Sequence, residues 1–377
     1  MDPIYELSND LERVKMEENE DRISNLPISL IEDILSSLPA KYAVSTSVLS
    51  TKWKYLWTSI TNLDFDDHDT RMRMRHHETS FINFVNRVLM RNVLDLQKFS
   101  LRCTRNYDDV SHLHAWISTA LSRNVRELHI FYHMKANNGL PRELYTCTSL
   151  VFLELSGGIV VNFPTLGCLP SLKILHIYSI QFVDDDSIYR LFSSCPLLEE
   201  LFITSNGWKY YISVFNISAP ALKKLRYKHF SVGMYRAHKL VLNTPNLQDL
   251  EYTDNVAEDY PVNTLHALVN ADINLNTTHN YVPGRSVEVL VAEFLQAISE
   301  VQCPGLFGDS MKIFQSCSVT LPKFEHLTHS ELAVSHGVEW KFVLDFLESL
   351  PQLECLDIFW VKHYLSGLIH SMESCHA

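Results

Sequence analysis

The chain has 377 residues, with 44 acidic against 32 basic side chains and a formal net charge of −12. Proteins that coat nucleic acid carry a basic excess, so this balance excludes that class and predicts no nucleic-acid partner. Apolar residues make up 46% and charged residues 20%, which is typical of a folded protein rather than a disordered or fibrous one. With only 11 glycines, glycine-rich nucleotide-binding architectures are disfavoured as well.

The targeting and cysteine patterns favour a chain that stays in a reducing compartment. Residues 1–22 are polar and acidic, with no apolar core of a signal peptide. The uncharged run 155–172 contains prolines and glycines throughout, so we expect no membrane helix and no membrane partner. The eight cysteines form no C-x-x-C pair, which predicts reduced thiols, no zinc site and a cytoplasmic or nuclear location.

A small helical module follows the acidic tail 1–19, which we expect to be disordered. Residues 20–60 predict three short helices, the first opened by Pro27 and the last preceded by Ser50 as N-cap. Their apolar positions recur at helical spacings: Leu30, Ile31, Ile34, Leu35 and Leu38; Val44 and Val48; Trp53, Leu56 and Trp57. A module of this length rarely buries enough surface to be stable alone. Its surplus apolar surface packs either on the rest of the chain or on a partner, and patterning leaves both open.

This segment resembles the F-box of plant F-box proteins with leucine-rich repeats. The match covers about residues 21–60 in fixed register, through Leu26-Pro27, Leu30, Ile34-Leu35, Leu38-Pro39, the run 48–53 and Leu56-Trp57. The resemblance implies binding to a Skp-type adaptor and, through it, to a cullin. It places these residues at the adaptor: Leu26, Pro27, Leu30, Ile34, Leu35, Leu38, Val48, Leu49, Trp53 and Trp57. The two tryptophans either complete that contact or lock the helices together.

The rest of the chain repeats one cassette of apolar residues, L-x-x-L-x-L. Eleven cassettes begin 21 to 30 residues apart, at Leu96, Val125, Leu150, Leu172, Leu198, Leu222, Leu247, Leu268, Ile298, Leu327 and Leu353. This period is typical of leucine-rich repeats. The predicted fold class is therefore α/β: the three-helix module, then a solenoid with a curved parallel sheet inside and helices or irregular turns outside.

The segments between and around the cassettes complete the domain prediction. Residues 61–95 are interpreted as a linker and a capping helix, residues 96–360 as the repeats, and residues 361–377 as a tail. Amphipathic return helices are expected at 187–196, 287–298 and 338–351. Cassettes eight to ten are weak, since Ala271, Cys303 and Ser330 replace larger residues. Residues 321–359 also resemble the segment that leads into the FBD region of plant F-box proteins, although the FBD motif itself is absent or truncated.

Signatures of catalysis are missing from the sequence. No phosphate-binding loop, nucleophile elbow or H-E-x-x-H zinc motif occurs, so we expect a non-catalytic protein without catalytic residues, cofactor or metal. Asp184, Asp185 and Asp186 precede a helical stretch, and favouring its positive N-terminal end is the simplest interpretation.

What such an array can do is bind, because the residues between the inward positions form rows on the concave face. The candidates for binding a protein substrate are Phe131, Tyr178, Phe202, Lys224, Arg226 and Lys228. Exposed aromatic residues anchor interfaces. The basic row 224–228 beside the acidic row 249–253 is also explained by cross-strand charge pairing alone.

The resemblance implies the substrate-recognition subunit of a Skp–cullin–F-box ubiquitin ligase, with the array holding a protein to be ubiquitinated. Two alternatives stay open at this point. One is a leucine-rich-repeat scaffold without a ligase role, and the other is an F-box receptor that senses a small molecule.

Overall fold

In the computed structural model the described residues are 23, 25–68, 77–104, 111–132, 139–205, 212–229, 239–255, 267–276, 286–299, 303–308, 310–317 and 320–361. The chain divides into two compact units, Met1–Phe131 and Tyr132–Ala377. The predicted acidic tail 1–19 lies outside the described residues, and so does the predicted C-terminal tail 361–377 apart from Val361, which ends the last strand. Within the described part of the chain, no helix combines the length and the hydropathy that crossing a bilayer requires.

The first unit opens with the predicted helical module. Helix α1 is Ile28–Ser37, α2 is Ala40–Ser45, and two 3₁₀ helices follow at Thr46–Val48 and Trp53–Ser59. Pro27 and Pro39 each stand directly before an α-helix, where their missing N–H groups cost no hydrogen bond. The third predicted helix is thus a 3₁₀ helix, and Lys52 rather than Ser50 occupies its N-cap.

The module is held together by side chains that point between its helices. Ile31 and Leu35, four residues apart on α1, are fully buried, and so are Trp53 and Trp57. The ammonium group of Lys52 donates a 2.8 Å hydrogen bond to the carbonyl of Leu26 and so ties the second half of the module to the start of α1. The inward-facing side chains of the module are therefore covered by contacts within the unit.

A short strand follows the module, where the sequence predicted only a linker. Strand β1, Asn62–Asp66, pairs in parallel with β2, Lys98–Cys103, and β3, Glu127–Tyr132, lies on the other side of β2. The linker prediction for residues 61–66 was wrong because β1 carries Leu63 and Phe65 at alternate positions without the full cassette. Phe65 is buried and packs on the ring of Phe99 at a centroid distance of 5.8 Å.

The predicted capping helix exists, but it connects two strands instead of preceding the first. Helix α3 is His77–Arg91 and runs between β1 and β2, and α4, Ser111–Ser122, runs between β2 and β3. Phe81 of α3 packs edge-on against Trp116 of α4 at 6.1 Å. The indole N–H of Trp116 also donates a 2.7 Å hydrogen bond to the side-chain carbonyl of Asn86. The two helices therefore form the outer layer of the first repeats.

The second unit contains, among its described residues, a parallel sheet of nine strands with a layer of shorter elements outside it. The sheet strands are β4 Phe152–Gly157, β6 Ile174–Tyr178, β8 Glu200–Ser205, β10 Lys224–His229, β12 Asp249–Asn255, β13 Asn270–Asn276, β14 Cys303–Gly308, β15 His329–Ser335 and β16 Cys355–Val361. The outer elements are a 3₁₀ helix Arg142–Thr146, β5 Val160–Val161, β7 Gln181–Phe182, α5 Asp185–Ser193, β9 Val214–Ser218, β11 Lys239–Asn243, α6 Val287–Ala297, α7 Ser310–Ser316 and α8 Trp340–Glu348.

The cassettes coincide with the sheet strands in a constant register. In ten of the eleven, the strand begins two residues after the first cassette position, as β4 does after Leu150. The ninth is the exception, since Ile298 is followed five residues later by β14. Leu306 of β14 lies opposite Ile273, so the cassette assigned to Ile298, Val301 and Cys303 was placed three residues too early.

The outer layer is helical at some repeats and extended at others. The three predicted return helices are present as α5, α6 and α8, whereas β9 and β11 pair with each other in a separate small sheet that the sequence did not indicate. The side chain of Phe215 on β9 packs this outer sheet against the core. Its ring lies 5.3 Å from that of Tyr227 and 6.2 Å from those of Phe182 and Phe192.

We predict that Phe215→Ala lowers the free energy of unfolding by about 3–5 kcal/mol, since it empties a site among three buried rings. Leu166→Ala is the control of similar chemistry, because Leu166 is 89% exposed, and its effect should stay within about 0.5 kcal/mol. Chemical denaturation followed by circular dichroism measures both variants. Equal effects would contradict the packing described for β9.

A second matched pair tests the backbone. Gly157 and Gly337 both adopt a left-handed conformation, with φ of 98° and 101°. A Cβ atom on Gly157 would come within 2.3 Å of the carbonyl oxygen of Tyr132, whereas one on Gly337 would meet nothing closer than 3.8 Å. Gly157→Ala should therefore lower the melting temperature clearly more than Gly337→Ala, which adds only backbone strain.

Candidate interaction surfaces

The helical module leaves a set of apolar side chains uncovered, which we call the module's apolar face. It consists of Pro27, Ile28, Leu30, Ile34, Val48 and Leu49. Val48 is 87% exposed and Leu49 is 53% exposed. Several large apolar side chains left exposed within one small module are typical of an interaction site.

The face arises because α1 is apolar on two sides. Ile31 and Leu35 point into the unit, while Leu30 and Ile34, also four residues apart, point to solvent. A helix of an isolated globular domain shows one apolar stripe and a polar opposite side. The second stripe of α1 has no use inside the described unit, so it is available to another protein.

The structure corrects part of the predicted adaptor set. Leu35, Trp53 and Trp57 are exposed by only 0%, 2% and 5%, so their side chains stabilise the module and are not presented on its surface. The alternative in which the tryptophans lock the helices together is the one that their burial supports. Leu26 and Leu38 are half-buried at the margin of the face. Ile28 is an exposed member that the sequence reasoning missed, although its position next to Pro27 could have indicated it.

The second surface is the uncovered side of the nine-stranded sheet in the second unit. Along β4, β6, β8 and β10, buried side chains alternate with half-buried or exposed ones. Because the strands are parallel and in register, the uncovered side chains form rows across the sheet. The central row runs Glu154, His176, Phe202, Arg226, Glu251, Asp272, Gly305, Glu331 and Asp357.

An aromatic cluster occupies the β4–β8 end of this face. The rings of Tyr178 and Phe202 are 5.0 Å apart, and His176 lies 5.8 Å from Phe202 and 5.0 Å from Phe152. The imidazole of His176 is within 3.3 Å of a carboxylate oxygen of Glu200. Burial, together with the nearby carboxylates, raises the pKa of the Tyr178 hydroxyl, so it stays a neutral hydrogen-bonding group. Tyr178 and Phe202 are thus brought together, and Phe152 and His176 join them.

Phe131, the third predicted aromatic residue, belongs to the first unit. Its ring lies under the guanidinium of Arg102 at 4.9 Å, in a cation–π contact within that unit. The structure therefore gives Phe131 a partner in its own unit.

The basic side chains of β10 divide the face in two. The ammonium of Lys228 lies 2.5 Å from one carboxylate oxygen of Glu251, and the guanidinium of Arg226 lies 3.4 Å from the other. Lys224 stands in register with Asp249 on one side and Glu200 on the other. Cross-strand charge pairing, which the sequence left open, is therefore present for two of the three predicted basic residues.

A groove of 510 Å³ lies on the same face beyond β10. Its charged lining comprises five carboxylates and two cations: Asp249, Glu251, Asp272, Glu331 and Asp357 with Lys224 and Arg226. Gly305 stands in the central row between Asp272 and Glu331 and contributes no side chain. Burial, followed by the charges of Glu251 and Glu331, raises the pKa of the Asp272 carboxyl against the opposing influence of Lys228 and Arg226. Sequence reasoning missed Asp272 and Glu331 because their cassettes are the weak ones.

Neither surface is organised for metal chemistry. Within the described residues, no group of three His, Cys, Asp or Glu side chains could hold a metal ion. The aspartates 184–186 serve helix α5 as expected: the carboxylate of Asp184 accepts a 2.7 Å hydrogen bond from the backbone N–H of Ser187. Hydrogen bonding to Ser187, first to its side chain and then to its backbone N–H, lowers the pKa of Asp184. Asp185 accepts two further bonds, from the backbone N–H groups of Ser213 and Val214.

Comparison with known proteins agrees with this architecture of a helical module and stacked strand repeats. The F-box domain family matches residues 23–64. The family described as FBD-associated F-box protein At5g56370, LRR repeats, matches residues 113–271. These two matches define an F-box protein with leucine-rich repeats.

Similar proteins of Arabidopsis thaliana cover nearly the whole chain. F-box/LRR-repeat protein At4g14103 is 34% identical over 93% of this chain and 92% of its own length. F-box/LRR-repeat protein At3g59200 is 34% identical over 91% and 70%, and the putative F-box/FBD/LRR-repeat protein At3g59240 is 31% identical over 94% and 72%. The chain therefore belongs to the family of F-box/LRR-repeat proteins. F-box proteins are generally non-catalytic substrate adaptors of Skp–cullin–F-box ligases, and the F-box generally binds the Skp-type adaptor.

The raised pKa of Asp272 generates a prediction for stability. A carboxyl whose pKa is higher in the folded than in the unfolded state opposes folding once it is ionised. Asp272→Asn should therefore keep or raise the melting temperature at neutral pH. The gain should shrink as the pH falls through the raised pKa of Asp272, where the carboxylate takes up its proton. Asp249→Asn is the control, because the Asp249 carboxylate accepts a 2.6 Å hydrogen bond from Asn270, which a neutral amide oxygen accepts less strongly. A clear loss of stability in Asp272→Asn would contradict this electrostatic picture.

Proposed function

We propose that this protein is the substrate-recognition subunit of a Skp–cullin–F-box ubiquitin ligase. Its helical module binds a Skp-type adaptor and, through it, a cullin, while the repeat array holds a target protein. The observation that carries the proposal is the module's apolar face, which remains uncovered although its other side is packed within the unit. The uncovered sheet face supplies the second binding surface that such a receptor needs.

The size of the apolar face suits a stable contact. Burying a large aliphatic side chain contributes about 1.5–3 kcal/mol relative to leaving it exposed. The face contains five such side chains and a proline, which supports an affinity well beyond a transient encounter even after the cost of association is subtracted. This face includes four of the aliphatic residues predicted to bind the adaptor: Leu30, Ile34, Val48 and Leu49.

For the target protein, the aromatic cluster is the part of the sheet face best suited to anchor an interface. Tyr178 and Phe202 combine large half-buried rings with neighbouring polar groups, a composition typical of binding hot spots. Lys224 is the basic residue of β10 most available to a target, since Arg226 and Lys228 are paired with Glu251. Phe131, which belongs to the first unit, remains a predicted substrate-binding residue.

In this proposal the chain contributes position and no chemistry of its own. Holding the target near the charged ubiquitin carrier converts an encounter in solution into a reaction within one complex. We further propose a cytoplasmic or nuclear location. The described cysteines support this proposal, because Cys103, Cys147, Cys168, Cys195, Cys317 and Cys355 are all unpaired thiols.

Charge introduced into the apolar face tests adaptor binding. We predict that Leu30→Asp and Leu49→Asp each reduce co-purification with the Skp-type adaptor more than tenfold, because a buried unpaired carboxylate is costly. The matched controls are Met90→Asp and Val93→Asp, which change residues exposed by 79% and 77% in the same unit but outside the module. These should bind the adaptor as the wild type does.

Circular dichroism and melting temperature of each variant separate binding from folding. All four residues are exposed, so the fold should survive in every case. Adaptor binding that survives both changes in the module would overturn the assignment of the contact to the apolar face. A wild-type chain that binds no Skp-type adaptor would overturn the receptor function and favour a leucine-rich-repeat scaffold without a ligase role.

A further inference from the structure

The groove on the β12–β16 part of the sheet carries more negative charge than the described residues neutralise. Glu251 is paired with Arg226 and Lys228, and Asp249 accepts a hydrogen bond from Asn270. Asp272, Glu331 and Asp357 have no ion pair with any described residue of the chain. Carboxylates crowded on one face repel one another, so an arrangement of this kind gains from a positively charged partner.

The spacing of these carboxylates distinguishes between possible partners. Adjacent strands are about 4.8 Å apart, so Asp272 and Glu331, two strands apart in the same row, are separated by about 10 Å at the backbone. Within the described residues no group of three His, Cys, Asp or Glu side chains could hold a metal ion, which argues against a divalent cation as the occupant. An extended chain that crosses the strands can instead place separate cationic side chains near separate carboxylates.

Gly305 provides the room for such a side chain. It stands between Asp272 and Glu331 in the central row, and the groove is lined by residues of β10 and β12–β16 around it. With no side chain at this position, only backbone separates Asp272 from Glu331 along the row. The gap left by Gly305 and the negative charge of Asp272 and Glu331 therefore occur at the same point of the face.

We propose that this groove binds a basic segment of the protein that the array recognises, with a lysine or arginine side chain seated over Gly305 between Asp272 and Glu331. The inference rests on the proposed function in that the occupant is the target protein. It adds the chemical class of the recognised segment: extended, cationic and distinct from whatever contacts the aromatic cluster. Asp357 extends the same row by one strand and receives the next positive charge along the segment.

The experiment uses the full chain purified with a Skp-type adaptor. The probe is a labelled extended peptide in which lysine and arginine alternate with serine, compared with the same peptide carrying glutamate at the basic positions. The groove variant is Asp272→Asn/Glu331→Gln/Asp357→Asn. The control variant, Asp345→Asn/Glu348→Gln/Glu354→Gln, removes the same number of charges from exposed positions on α8 and just before β16.

Fluorescence anisotropy should show binding of the basic peptide to the wild type, weakening with salt, and no binding of the acidic peptide. The groove variant should weaken binding about tenfold, and the control variant should stay within about twofold, since three exposed charge pairs are lost in the first case only. Equal binding by wild type and groove variant would overturn the proposal. So would displacement of the peptide by magnesium chloride beyond that by sodium chloride of equal ionic strength, because the site would then be a cation site.

Adaptor binding measured on the same preparations keeps the two proposals separate. A complex that retains the adaptor but shows no preference for the basic peptide overturns the groove assignment and leaves the receptor function standing. A chain that binds the peptide as expected but never binds the adaptor overturns the receptor function and supports the groove by itself.

Discussion

The structure depends on one constraint: no repeat of this chain can bury its apolar side chains without its neighbours. Strands β4, β6, β8 and β10 turn their cassette residues inward, as Leu201 and Ile203 do, and these are covered by adjacent strands and by the outer elements. The aromatic contacts of Phe215 show how an outer strand completes that cover. Because the inner side of every strand is committed in this way, the other side is left for binding.

The helical module is subject to the same constraint, but it does not bury all of its apolar side chains. Its helices are too short to enclose all their apolar residues, and packing within the unit uses Ile31, Leu35 and the two tryptophans. The remaining face, with Val48 and Ile28 the most exposed of its aliphatic side chains, stays outside. A solenoid repeat covers its remaining apolar surface with the next repeat, whereas the apolar face of the module stays uncovered in the described part of the chain.

Charge on the uncovered sheet face follows a different rule, because there it is arranged for solvent and partners. The β10 cations meet Glu251, which neutralises the middle of the face. What remains is an aromatic cluster at one end and an excess of carboxylates at the other. Asp272 is placed where its charge opposes folding, and positions that cost stability in this way are often functional ones.

The sequence by itself determined the F-box, the repeat period and the register of most sheet strands, because apolar spacing is a local property that any strand or helix must satisfy. It also indicated α5, α6 and α8 from their amphipathic pattern. Only the tertiary structure decided which apolar residues of α1 face outward, since Leu30 and Leu35 look alike in the sequence and differ only in what packs on them.

The sequence also did not predict strand β1, the outer strands β9 and β11 or the position of β14. Their apolar patterns are short or lack large residues, so only their pairing with neighbouring strands identifies them. The acidic groove is the clearest case. Asp272, Gly305 and Glu331 are far apart along the chain, and the parallel register alone brings them into one row.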